Sequence, residues 1–173
     1  RVYTPYYRQW VQYAFVAPAP TASANWIDPP ASHRLDAHRE LAEQQSDVQL
    51  PDVGEGAAWR RWDRFKANAL TEYDTARNRP DIDGTSSLSA HLRWGEIHPR
   101  SLLADLTAYL NDPATAAGAT TFAKEIAWRE FYDDVMHHQP HSERSSMRLE
   151  LSGIEVDAGP AADERFDAWS RGR

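Results

Sequence analysis

Apolar residues recur at helical spacing along most of this chain. From Gly54 onward, Ala58, Trp62, Phe65, Ala69 and Tyr73 fall at steps of three and four, the spacing of one buried helix face. The pattern predicts a long amphipathic helix ending before Pro80, with Arg60, Arg61, Arg64 and Lys66 on its solvated face. "TTFAKEIAWREFYDDVMHH" predicts a second strong helix, opened by Thr120 or Thr121 and stopped before Pro140, with Phe131 and Val135 as core. Shorter helices are expected from Pro5 to about Ala14, Ser86 to about Trp94, Pro99 to about Leu110, and Asp163 to Ser170. No stretch alternates with the period of a strand, so the expected fold class is all-α with long irregular loops.

The breaks in this pattern suggest an organisation. Residues 1–16 form an aromatic-rich lead-in, with Thr4 and Pro5 reading as a cap and first helical position. Residues 17–53 carry prolines at 18, 20, 29 and 30 and read as a connector, with His33–Gln45 as a loose helix or loop. Residues 54–173 hold the main helical part, with an irregular stretch from Gln139 to Ala162.

Composition narrows the function classes. A chain of 173 residues, 41% hydrophobic and 26% charged, can bury one ordinary globular core. It has no apolar run of membrane-spanning length, so no membrane partner is expected. With no cysteine there is no disulfide and no thiolate metal site, and a cytoplasmic address is the expectation. A net charge of −7 opposes general polyanion binding, although one basic face remains compatible with it. Arginine outnumbers lysine 17 to 2, a bias that GC-rich codons produce without any functional cause. The chain opens at Arg1 without a methionine and closes on "WSRGR", so it is expected to be a piece of a longer protein.

Three stretches carry candidate chemistry. In "DGTSSLSAHL", Gly84 permits a tight turn with positive φ, and Thr85, Ser86, Ser87 and Ser89 crowd the start of the following helix. Free N–H groups and hydroxyls at such a start suit a phosphate, although an over-provided N-cap accounts for the same residues. In the second strong helix, Glu125, Trp128, Arg129 and Tyr132 share one face at i, i+3, i+4 and i+7. A carboxylate, an indole, a guanidinium and a phenol together suit a polar cleft that stacks a flat ligand. A buried Trp128 and an Arg129–Glu125 pair would explain the same face. Tyr73 and Arg77 lie four apart, near the hydroxyl cluster, and either face its ligand or pack on each other. His137, His138 and His141 do not make a metal site on this reading, because Pro140 interrupts their helix.

The order of these motifs resembles the FAD-binding domain of the DNA photolyase and cryptochrome family. "GTSSLSAHL" followed some forty residues later by "WREFY" carries most of that resemblance, which covers nearly the whole chain. It implies the first part of a helical FAD domain from a cyclobutane pyrimidine dimer photolyase, a monomer, whose N-terminal antenna domain would precede Arg1. It implies FAD held by Tyr73, Thr85, Ser86, Ser87, Leu88, Ser89 and Arg129. It further implies damaged DNA met by Arg77, Glu125, Trp128 and Tyr132, with Glu125 and Trp128 contacting the dimer during light-driven electron transfer. A second antenna chromophore, of folate or deazaflavin type, is implied without its identity. Arg60, Arg61 and Arg64 join Arg77 as candidate phosphate contacts. The alternative within the family is a cryptochrome-type blue-light photoreceptor without repair activity; a helical binding module lacking a cofactor is a third reading of the segment alone. One departure stands out: Val156 and its neighbours sit where many members carry a tryptophan, about ten residues before the position of Trp169.

Overall fold

The computed structural model describes residues 2–20, 22, 23, 25, 27 and 50–173. The expected loose helix or loop at His33–Gln45 and most of the 17–53 connector lie outside these. The described residues are helical and contain no strand. Helix α1 spans Tyr3–Tyr13, α2 Glu55–Asn68, α3 Tyr73–Ala76, α4 Ser89–Arg93, α5 Pro99–Leu110, α6 Ala116–His138 and α7 Pro160–Ser170. Two single 3-10 turns, Pro140–Glu143 and Leu149–Leu151, lie between α6 and α7. The chain divides into two compact units, residues 2–129 and residues 130–173, with α6 crossing the boundary.

The core of the first unit follows the helical spacing. Ala58, Trp62, Phe65, Ala69 and Tyr73 are all buried. Phe122 of α6 packs on three of them, with ring centroids 5.0 Å from Trp62, 5.3 Å from Phe65 and 5.7 Å from Tyr73. Each large side chain so buried contributes roughly 1.5–3 kcal/mol. The core includes one polar anchor: Trp62 Nε1 donates to Asp105 Oδ2 on α5 at 2.6 Å. Lys66 Nζ reaches the same oxygen at 2.5 Å and Asp63 at 3.0 Å. Lys66 therefore does not belong to a solvated face as its spacing suggested. Its side chain is only 13% exposed, and its ammonium neutralises two carboxylates.

The long helix expected to run to Pro80 breaks in two. The amides of Ala69 and Leu70 both donate to Phe65 O, at 2.9 and 3.0 Å, and the backbone then turns before α3. The cause is tertiary. Leu70 is fully buried, and α6 crosses its carbonyl so closely that a Cβ on Gly118 would collide with Leu70 O. Only glycine allows that approach.

The hydroxyl segment also differs from expectation. Helix α4 begins at Ser89, not Ser86, and its cap residue is the buried Leu88, which makes no side-chain cap bond. Gly84 does not adopt positive φ; that conformation belongs to Ser87, at φ 49°. Gly84 is needed for space, since a Cβ there would sit 2.8 Å from Ala76 Cβ. Behind α4, His91 is buried with Nδ1 2.5 Å from Glu96 Oε2, while Glu96 Oε1 accepts the Gly54 amide at 2.8 Å. This clip ties the end of α4 to the start of α2. The Gly54 amide first, and His91 second, hold the Glu96 carboxyl below its ordinary range.

Three helix starts lie upstream of the sequence reading. Helix α1 starts at Tyr3, with Val2 as cap and no side-chain cap bond, so Thr4 and Pro5 lie inside it. Helix α6 starts at Ala116 rather than Thr120, because Asp112 Oδ1 accepts the Ala114 amide at 3.0 Å and Thr115 Oγ1 donates to Tyr109 O at 2.8 Å. These bonds fold the preceding turn before the threonines are reached. Helix α7 starts at Pro160, which has no amide to leave unsatisfied. In the second unit, Phe131 and Val135 are buried as expected, while Phe166 and Trp169 pair at 5.6 Å on an exposed face of α7.

Candidate functional site

Two places in the first unit gather the candidate residues. The first is a cleft of about 300 Å³ between α2 and the hydroxyl segment, lined by Arg61, Arg64, Phe65, Asn68, Ala69, Asp83, Thr85 and Ser86. Phe65 and Ala69 form its buried floor. Helical periodicity places Arg61, Arg64 and Asn68 on one side, and the close packing of Gly84 on Ala76 brings Thr85 and Ser86 to the other. Thr85 Oγ1 lies 3.5 Å from Ser87 Oγ, and Ser89 is exposed at the start of α4. The hydroxyl cluster thus splits: Thr85 and Ser86 line the cleft, while Ser87 and Ser89 do not. Leu88 is core, so only its backbone remains for a ligand.

The second place is the α6 face. Glu125 and Trp128 are half-buried, Arg129 is exposed, and Tyr132, in the second unit, is exposed. The Glu125 carboxylate accepts a hydrogen bond from Arg77 Nη1, which crosses from the end of α3. That bond keeps the Arg77 guanidinium charged, above its ordinary range. Arg77 also lies over the Tyr73 ring, 5.8 Å from its centroid. Tyr73 itself is buried in the core, where burial raises its phenol pKa. Its contact with a ligand is therefore limited to what a core tyrosine exposes.

Nothing near Trp128 along the chain points to its partner. Tyr3, at the start of α1, stacks on it with ring centroids 3.4 Å apart and planes 6° from parallel. The Tyr3 hydroxyl donates to Lys124 O at 3.0 Å, which fixes the ring over α6. Burial first, and then the neighbouring Tyr7, Glu125 and Tyr6 charges, push the Tyr3 phenol up to about 12. No local signal could have linked residues so far apart in sequence. Among the described residues, no three His, Asp or Glu side chains converge in a way that could hold a metal ion. No helix of the described residues is long and apolar enough to cross a membrane.

The chain is similar to several curated photo-lyases. It is 31% identical over 147 residues to a deoxyribodipyrimidine photo-lyase of Alkalihalophilus pseudofirmus, covering 81% of this chain and 30% of that protein. It is 30% identical over 146 residues to the deoxyribodipyrimidine photo-lyase of Escherichia coli, covering 81% of this chain and 30% of the relative. With the deoxyribodipyrimidine photo-lyase of Agrobacterium fabrum it shares 30% identity over 185 residues, or 99% of this chain and 36% of the relative. No family model matches the chain, and no solved structure gives a significant match. The chain spans about a third of the length of the curated relatives it matches. With an all-helical core, the hydroxyl segment beside a cationic cleft and relatives that agree in name, the chain belongs to the DNA photolyase and cryptochrome family.

Proposed function

We propose that residues 54–173 form the first part of a helical FAD-binding domain, and that the protein containing them is a deoxyribodipyrimidine photo-lyase repairing cyclobutane pyrimidine dimers in DNA. The shared name of relatives matching up to 99% of this chain carries the reading. The cleft supports it, because its hydroxyl, amide and guanidinium groups are the donor set that a diphosphate requires. Thr85 and Ser86 would hold the diphosphate by side chain, with Ser87, Leu88 and Ser89 beside it, and Tyr73 and Arg129 would contact the rest of the FAD. Bound FAD supplies the light absorption and the electron; the chain supplies binding, orientation and electrostatics.

The α6 face is the proposed dimer site. A pyrimidine pair leaves the helix stack more cheaply when it is damaged, because its pairing and stacking are already weakened. Trp128 offers a stacking surface, worth roughly 1–3 kcal/mol per base. Glu125 accepts an N–H of the pyrimidine pair, and Arg77 neutralises that carboxylate and adjoins the DNA. A pyrimidine stacking here meets an indole whose stack Tyr3 already begins. The antenna chromophore belongs to the wider protein and is not addressed by these residues.

The test is light-dependent repair of a thymine-dimer oligonucleotide by the complete gene product. Repair that falls in Trp128→Ala with Glu125→Ala, at unchanged flavin content, supports the assignment. Undiminished repair in that double variant sinks it. Flavin photochemistry with no repair in the native protein points to the photoreceptor reading instead.

A further inference from the structure

We infer that Tyr3 gates the α6 face: its phenol ring occupies the place on Trp128 where a flat base would stack, and a ligand takes that place as the ring swings away. This role rests on the dimer site proposed above. It adds what must be displaced there, a residue that the motifs of α6 do not include.

Geometry is the first observation. The Tyr3 and Trp128 rings lie 3.4 Å apart by centroid and 6° from parallel. Aromatic side chains usually prefer an offset or edge-on contact with wider centroids. The core pairs keep to that habit, with Trp62 and Phe122 at 5.0 Å and Tyr7 and Trp10 at 6.0 Å. The Tyr3 ring instead lies over the indole with almost no lateral offset, at about 3.4 Å, the rise between successive bases in a nucleic-acid strand. A phenol so placed fills the position of a stacked base.

The tether is the second observation. Tyr3 is the first residue of α1, which Val2 caps without a side-chain bond, and no acidic residue in the first turn offsets the helix dipole. The Tyr3 hydroxyl donates to Lys124 O at 3.0 Å through an exposed bond. The other end of α1 is fixed separately, by Trp10 buried in the core. The first turn can therefore open without lifting α1 from the core, as helix ends do at low cost.

Ligand chemistry supplies the reason to open. A base entering from solvent exchanges one ring on the indole for another, so stacking alone gives it little advantage. A ligand shifts such an equilibrium only by contacts that the closed state lacks. A pyrimidine pair adds N–H donation to Glu125, three residues before Trp128 on the same helix face. The Tyr3 hydroxyl, bonded to Lys124 O, makes no such contribution.

Binding of a thymine-dimer oligonucleotide in the dark by the complete gene product, followed by fluorescence anisotropy, tests the gate. Circular dichroism checks the fold of each variant. Tyr3→Ala tightens binding about three- to tenfold, because an aromatic stack no longer competes. Tyr3→Phe keeps the ring but loses the bond to Lys124 O, and tightens binding by a smaller factor. Tyr13→Ala, at the exposed far end of α1, leaves the affinity unchanged. Weaker binding in Tyr3→Ala makes Tyr3 a wall of the site and overturns the gate, and unchanged affinity overturns it too. If Tyr3→Ala loses helix content, Tyr3→Phe decides alone: tighter binding supports the gate, and equal or weaker binding overturns it. The dimer site fails separately. Native affinity in Trp128→Ala removes that site and the gate with it. Affinity lowered by Trp128→Ala but not raised by either Tyr3 variant removes the gate alone.

Discussion

The α2 cleft and the α6 face are built from similar residue types but are left in opposite electrostatic states. In the cleft, two guanidiniums face hydroxyls and an amide with no carboxylate bonded to them among the described residues. On the α6 face the charges and rings are already matched: Arg77 holds Glu125, and Tyr3 covers a side of Trp128. A ligand entering the cleft gains contacts without displacing any described ion pair. A ligand arriving at α6 must join or rearrange interactions the protein already makes. Binding at the first place should therefore cost little reorganisation, whereas binding at the second should be coupled to movement of Tyr3 or Arg77.

The largest effect removes both places together. Gly118→Leu puts a side chain where Leu70 O already lies, so α6 cannot cross the α2–α3 turn. Destabilisation of about 3 kcal/mol or more is expected, measured by urea unfolding. A Gly118→Leu protein as stable as the native one would show that the crossing is not tight, and that the two places are less firmly tied than described.

Next comes the stack on α6. A double-mutant cycle of Tyr3→Ala and Trp128→Ala should give a coupling of about 1 kcal/mol in unfolding free energy, the size of a well-stacked aromatic pair. A coupling near zero would leave Trp128 as open to ligands as the cleft and erase the contrast. The Arg77–Glu125 pair should couple more weakly. Both side chains are 32% exposed, so solvent screening keeps the interaction below about 1 kcal/mol in a cycle of Arg77→Met and Glu125→Gln. Strengthening of this coupling at low salt, and its decline at high salt, would separate it from the stack, which salt leaves unchanged.

The smallest effect is a titration. The Tyr3 phenol is raised to about 12, so the folded protein keeps its proton over a range in which an unfolded tyrosine, near its ordinary 10.0, has lost it. The unfolded state then binds fewer protons, and stability falls as pH rises through that window. Absorbance at the tyrosinate band should show one late-ionising tyrosine that Tyr3→Phe abolishes. Loss of the late phase in Tyr7→Phe alone would place the buried phenol at the wrong residue, since burial raises Tyr7 too.

Periodicity was enough to place most of the core. Steps of three and four named five residues that are all buried, although only Ala58, Trp62 and Phe65 lie on α2, with Ala69 at its cap and Tyr73 opening α3. The helix expected from Pro99 to about Leu110 spans Pro99–Leu110, with Pro99 at its first position and the His98 ring accepting the Arg100 amide at 3.1 Å. The motif order also carried the family, because hydroxyls after Gly84 and the Glu125–Trp128 spacing are local features. What failed was local inference at points settled by distant neighbours. Lys66 looked solvated until Asp105 of α5 met it, and Gly84 looked like a turn residue until Ala76 packed against it.

The linear order of residues thus determined the helical class, the apolar faces and the chemical groups available for binding. It could do so because those properties depend on neighbours within a turn or two of the same helix. Tertiary structure decided which charges are neutralised and which remain for a ligand. Arg61 and Arg77 are the same residue type on nearby helices, and only the packing of α6 gives one of them Glu125 and leaves the other facing the cleft. Partner choice across the fold depends on distances that no sequence spacing encodes.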